Sequence, residues 1–228
     1  TARLERLGMD SVDLYQVHNR IAGSASAFPN ALTPDDMLRS GGIADAMQSL
    51  VDQGLTRHIG FTSTGEVDTL HEVIASQRFE AAQIYYNLLN PTAGRDMKAN
   101  WSAYDHKNII AACADNGLGV IVIRVLAAGV IATDVRTGKK GGVARDNDVS
   151  SDEQRMRKVL PLLRSDDGER SQVAVRYALR NPGVSGVEIG MDEISHLKLA
   201  IEATEMGQLP DDLLAKLDEL ANDDFNLS

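Results

Sequence analysis

The chain has 228 residues, a formal net charge of −10, and 43% hydrophobic but only 4% aromatic residues. That length supports a sizeable core in one large domain or two small ones, and the acidic balance argues against a generic binder of nucleic acid or anionic membranes. The single cysteine, Cys113, allows no intrachain disulfide and reads as a core thiol; with no secretory leader and no apolar run long enough for a bilayer, a cytoplasmic protein is expected.

In chain order, residues 12–20 (VDLYQVHNR) read as a buried strand over 12–17 that delivers His18 to its carboxyl end. Apolar residues at Ile43, Met47, Leu50 and Val51 predict a helix over 43–53, with Gly54 placed to end it. Strands follow over 58–62, 81–86, 119–125 and 184–189, several with consecutive apolar residues, as strands buried on both faces have. Helices are predicted over 67–76, over 104–116 before Gly117, and over 171–180 before Asn181-Pro182. Two amphipathic helices, 194–205 and 211–221, close the chain, with Pro210 suited to the start of the second. Strand and helix alternate, which predicts an α/β fold around a parallel sheet.

Two long connections, 19–42 and 133–151, break the rhythm, and loops of that length tend to be functional or mobile. Lys139-Lys140 lie between glycines in the second, where a solvated loop tip is favoured over a phosphate contact. No internal repeat and no interdomain linker is visible, so residues 1–228 read as one domain. A histidine at a strand end in such a fold is placed where ligands bind, and it can donate a hydrogen bond or shuttle a proton near neutral pH.

Taken together these segments resemble the aldo-keto reductase family over essentially the whole chain. LERLGMDSVDLYQVH (4–18) is similar to the family's fourth barrel strand with its histidine, GLTRHIGFTST (54–64) to the fifth, and AAQIYYNLLN (81–90) to the sixth. GLGVIVIRVLAAG (117–129) resembles the seventh, and QVAVRYALRNPGVSGVEIGM (172–191) the last helix and strand. The resemblance implies a (β/α)₈ barrel of the TIM type, here an incomplete one with five parallel strands, the fourth to the eighth. It implies an NAD(P)-dependent oxidoreductase that moves hydride between a nicotinamide and an aldehyde or ketone, or the matching alcohol or sugar. Its partner is then a small molecule, and neither nucleic acid, membrane nor metal enters.

Hydride arrival turns a carbonyl oxygen into an alkoxide, so such a site must supply a proton and hydrogen-bond donors at that oxygen. The family uses a tyrosine acid, a lysine and an aspartate that tune it, and a histidine that orients the oxygen; only the histidine, His18, has a counterpart in this sequence. The other three belong to the first three βα units, so the chain reads as an N-terminally truncated reductase, inactive by itself. Tyr15, Tyr85, Tyr86, Tyr104 and Tyr177 fall in other motifs and offer no obvious replacement acid.

For the cofactor, Thr62 and Ser63 stand where the family has Ser-Asn against the nicotinamide carboxamide, and Gln83 stands at the glutamine that helps hold it. Where many members read Tyr-Ser-Pro-Leu, this chain has Ile123-Arg124-Val125-Leu126, so Ile123 and Leu126 offer apolar cover without aromatic stacking. Arg124 ends an apolar strand and calls for a partner, either a cofactor phosphate or an internal carboxylate. Gly190 and Met191 precede the helix whose start would seat the adenosine phosphate, with His196 and Lys198 as basic candidates beside two acids. The choice between NADP, slightly favoured by the family, and NAD stays open. Two other readings compete: a non-catalytic binding or regulatory protein on the same scaffold, and an unrelated five-stranded flavodoxin-like sheet, which would want a phosphate-cradling loop after its first strand.

Overall fold

A computed structural model describes residues 2–135 and 149–227, which fall into two compact units. The first unit takes residues 1–84 and 109–121. It opens with α1 (Ala2–Leu7) and β1 (Val12–Val17), the latter on the predicted boundaries. β1 is half-buried along most of its length, and Asp13 is exposed. The expectation of a fully buried strand is thus corrected, because among the described residues β1 ends the sheet and pairs on one side only.

Residues 19–42 are firmly tied. Ile21 bridges both Leu32 and Gly65, and Thr33 begins α2 (Pro34–Leu38) with a reciprocal cap in which Asp36 answers the Thr33 backbone. The sequence reading missed this helix because five residues give no periodicity. α3 (Ile43–Asp52) follows and leads into β2 (Thr56–Thr62). α4 (Val67–Ala75) buries Leu70, Val73 and Ile74, one helical stripe, and β3 (Ala81–Tyr85) buries Ala82 and Ile84.

α5 (Ile109–Asp115) starts five residues later than expected, because Lys107 and Asn108 take left-handed backbone (φ 49° and 52°) that a helix cannot contain. Cys113 lies buried on α5, and burial pushes its thiol up to about 12, so it is an inert core group as expected. β4 (Gly119–Ile123) joins β3 through the Gly119 N–H, which donates to Glu80 O at 2.8 Å. It stops two residues short of the predicted end because Arg124 turns left-handed, with φ 61°.

The second unit takes residues 85–108 and 122–228. It contains α6 (Val149–Val159), α7 (Arg170–Leu179), β5 (Gly186–Val187), α8 (Ile194–Glu205) and α9 (Asp211–Asn222). β5 is far shorter than residues 184–189. Among the described residues it has β4 as its one strand neighbour, through the Glu188 N–H donating to Val122 O at 2.8 Å. α7 is buried on nearly every side, and Arg176 on it donates to the carbonyls of Asp167, Gly207 and Gln208 at 2.7–2.9 Å. Lys139 and Lys140 lie outside the described residues.

Strand order is β1-β2-β3-β4-β5, with the β1–β2 and β2–β3 pairs parallel. A flavodoxin-like sheet would place its second strand outside its first. Sequential order without reversal is instead that of (β/α) barrel units, and it removes the flavodoxin-like reading.

Candidate functional site

The parallel register builds the site of the first unit. Val17 lies level with Phe61, and Thr62 lies level with Gln83, so the residue following β1 comes abreast of Thr62. His18, Thr62 and Gln83 therefore line up across three adjacent strands. His18 Nδ1 is 2.7 Å from Thr62 Oγ1, and the Thr62 hydroxyl donates to Gln83 Oε1 at 2.8 Å. His18 is exposed, Thr62 is buried and Gln83 is half-buried, so the row runs from solvent inward.

The loops that follow these strands are fastened to each other. Ile21 N–H donates to Thr64 O at 2.8 Å, and Glu66 N–H donates to Ile21 O at 2.9 Å. Gly65 sits between them with φ 129°, and a Cβ there would run into the Ile21 carbonyl. Only glycine permits so close an approach. Next in the row, Ser63 donates its backbone N–H to Gln83 O at 2.8 Å, yet its buried hydroxyl has no partner among the described residues. A buried hydroxyl left without a bond costs free energy and fits a site that receives a polar ligand group, such as a carboxamide.

In the second unit Ile123 ends β4, and its carbonyl accepts from Tyr86 N–H at 3.3 Å. The Arg124 carbonyl accepts from Asn87 Nδ2 at 2.9 Å, which holds the left-handed turn in place. Leu126 is half-buried, its carbonyl accepting from Gly129 N–H at 2.8 Å. Gly190 and Met191 are exposed between β5 and α8, and His196 pairs with Asp192 at 2.9 Å. α8 begins at Ile194, as the sequence predicts, and Glu193 at its N-cap makes no side-chain cap.

One cluster in this unit was not foreseen. His106 is buried, stacked on Tyr85 (centroids 5.2 Å apart) and met edge-on by Tyr104 (4.8 Å). Burial pushes its imidazole down to about 4, and its Nδ1 has no partner among the described residues. Burial also pushes the phenols of Tyr85 and Tyr177 upward, so neither is tuned to give up a proton near neutrality.

A stability effect follows from His106. Unfolded, it binds a proton below its ordinary value of 6.5; folded, it resists doing so until about 4. Stability from this group is complete above the unfolded value and is lost as pH falls between the two, about 3 kcal/mol in all at ~1.4 kcal/mol per pH unit. Urea unfolding of the parent and His106→Phe at several pH values checks this. The expected result is a shallower acid loss in the variant, and parallel curves would refute it.

The profile of the Aldo/keto reductase family matches residues 1–222. Among solved structures, the chain is similar to the aldo-keto reductase AKR11C1 from Bacillus halodurans in its holo form, with TM-score 0.68 and 19% identity over 95% of this chain and 61% of that one. The apo form of the same protein gives TM-score 0.67 and 18% identity over 96% of this chain and 65% of that one. The chain thus spans less than two thirds of the length of these structures. No curated protein matches it. With nearly all of its residues matched by the family's profile and its strands in the family's order, the chain belongs to the aldo/keto reductase family.

Proposed function

We propose that the full-length protein exchanges hydride between a nicotinamide dinucleotide and a small carbonyl compound or the corresponding alcohol or sugar. The observation that supports this best is the hydrogen-bonded row His18–Thr62–Gln83 across three neighbouring strands. In such a site the dinucleotide, when bound, supplies or accepts the hydride. His18 orients the substrate oxygen through Nε2, the ring nitrogen not engaged by Thr62. Ser63, whose buried hydroxyl has no partner among the described residues, and Gln83 take the carboxamide. Gly190, Met191 and His196 serve the adenosine end, where the Asp192 carboxylate beside His196 disfavours tight selection of a 2′-phosphate. Ile123 and Leu126 give apolar cover. A reducing cytoplasm suits the one buried thiol.

Titrating the full-length protein with NAD(H) and NADP(H), while following turnover of aldehydes, ketones and sugars, tests the reading. Binding with turnover is expected. Binding without turnover would favour a regulatory protein on the same scaffold, and the absence of binding would overturn both.

Arg124 brings positive charge to an acidic chain, and its carbonyl is anchored while its side chain is half-buried. A charge-assisted bond to a phosphate contributes about 1.5–3 kcal/mol, so Arg124→Met should weaken dinucleotide binding by about 10- to 100-fold with little change in Tm. An internal ion pair would give the reverse, a lower Tm with affinity kept. Measuring both quantities on one variant separates the two.

A further inference from the structure

The row at the strand ends contains more information than its three positions. A threonine hydroxyl has one proton and two lone pairs. Thr62 gives that proton to Gln83 Oε1 at 2.8 Å, so toward His18, 2.7 Å away, it has only a lone pair to offer. Two acceptors cannot share a hydrogen bond of that length, and His18 Nδ1 must therefore carry the hydrogen. Thr62 is buried, and it is the amide oxygen of Gln83 that faces its hydroxyl, so the direction of the row is set from the interior outward.

We propose that Thr62 is a positioning residue that holds neutral His18 as its Nδ1–H tautomer, so that Nε2 presents a lone pair suited to an alcohol O–H. A neutral imidazole of this kind cannot donate to a carbonyl oxygen; only the imidazolium, with hydrogen on both nitrogens, does so. The site in its neutral state is built for the alcohol member of the redox pair. The assignment of substrate class rests on the proposed function, whereas the tautomer stands on the geometry alone.

The experiment is ¹⁵N–¹H correlation of the imidazole nitrogens in the full-length protein at about pH 9, well above the ordinary histidine range. Protonated and bare ring nitrogens differ widely in ¹⁵N shift, so the tautomer is read directly. In the parent, Nδ1 is expected to be the protonated nitrogen. Thr62→Ser keeps the hydroxyl and should read the same. Thr62→Val removes it, and the ring should move toward the Nε2–H form that an unconstrained imidazole favours.

Gln83→Met is the sharper case. It leaves Thr62 intact but takes away the acceptor of its proton, which then turns to His18 Nδ1 and flips the ring to Nε2–H. Backbone amide spectra report whether each variant is folded. A parent ring protonated at Nε2, or an Nδ1–H ring that persists in folded Thr62→Val and Gln83→Met, would overturn the proposal. An Nδ1–H ring in a protein that turns over no carbonyl or alcohol would leave the tautomer standing and remove the proposed function instead.

Discussion

Alanine at position 18 is expected to lower kcat of the full-length protein by about 10²–10³-fold, the usual cost of losing one polar group aimed at a reacting oxygen. His18 is exposed, and its loss strands nothing, because the Thr62 hydroxyl keeps its bond to Gln83. Stability and dinucleotide affinity should therefore stay within about twofold of the parent's, which separates an effect on the transition state from one on ground-state binding. Steady-state kinetics on several aldehydes, ketones and alcohols, with cofactor titration beside them, provide the check. Unchanged turnover across that panel would remove His18 from the site.

Arg155→Leu should be the most damaging single change to the fold, costing about 3–5 kcal/mol because it strands a buried carboxylate. Arg155 lies on α6 with its side chain 2% exposed. Its Nη2 donates to Asp224 Oδ1 at 3.2 Å and to Ser102 Oγ at 2.9 Å, while Nη1 donates to Ser151 Oγ at 3.0 Å. The guanidinium also faces the rings of Trp101, 5.0 Å from the centroid, and Phe225, at 5.8 Å. Asp224 is 1% exposed, and it opens a run of three left-handed residues with Phe225 and Asn226 that a looser environment would not hold.

The pair is incompletely satisfied, since Arg155 Nε and Asp224 Oδ2 have no hydrogen-bond partner among the described residues. Replacing both by leucine should consequently recover part of the loss, as apolar substitutes for buried pairs often do. Chemical denaturation of the two single variants and the double variant gives the coupling. Additive losses, or an Arg155→Leu cost below about 1 kcal/mol, would show that the pair does not hold the carboxyl-terminal turn.

Much of the first unit was legible in the sequence. β1 and α8 fall on their predicted limits, because Val12–Val17 and Ile194–Glu205 have clear periods and clear ends. The row at the strand ends was only half visible. His18, Thr62 and Gln83 were each singled out, but Thr62 was assigned to a ligand rather than to His18. A signal existed: Val17-His18 and Phe61-Thr62 both close a strand with an apolar residue followed by a polar one, and aligning the strand ends pairs them. The late start of α5 and the early stop of β4 depend on left-handed backbone at Lys107, Asn108 and Arg124. Such backbone is imposed by surrounding contacts, since none of these side chains demands it. His106 and Arg155 were beyond reach for another reason: Arg155 meets Asp224 across 69 residues, and no local pattern encodes that meeting.

Sequential strand order also bears on the birth of the chain. Each strand docks on the one made just before it, so the elements of the first unit can assemble as they leave the ribosome, and that unit is complete once residue 121 has emerged. Asp224, by contrast, is made long after residue 121. The histidine row can thus form before Asp224, the partner that Arg155 waits for, has been synthesised.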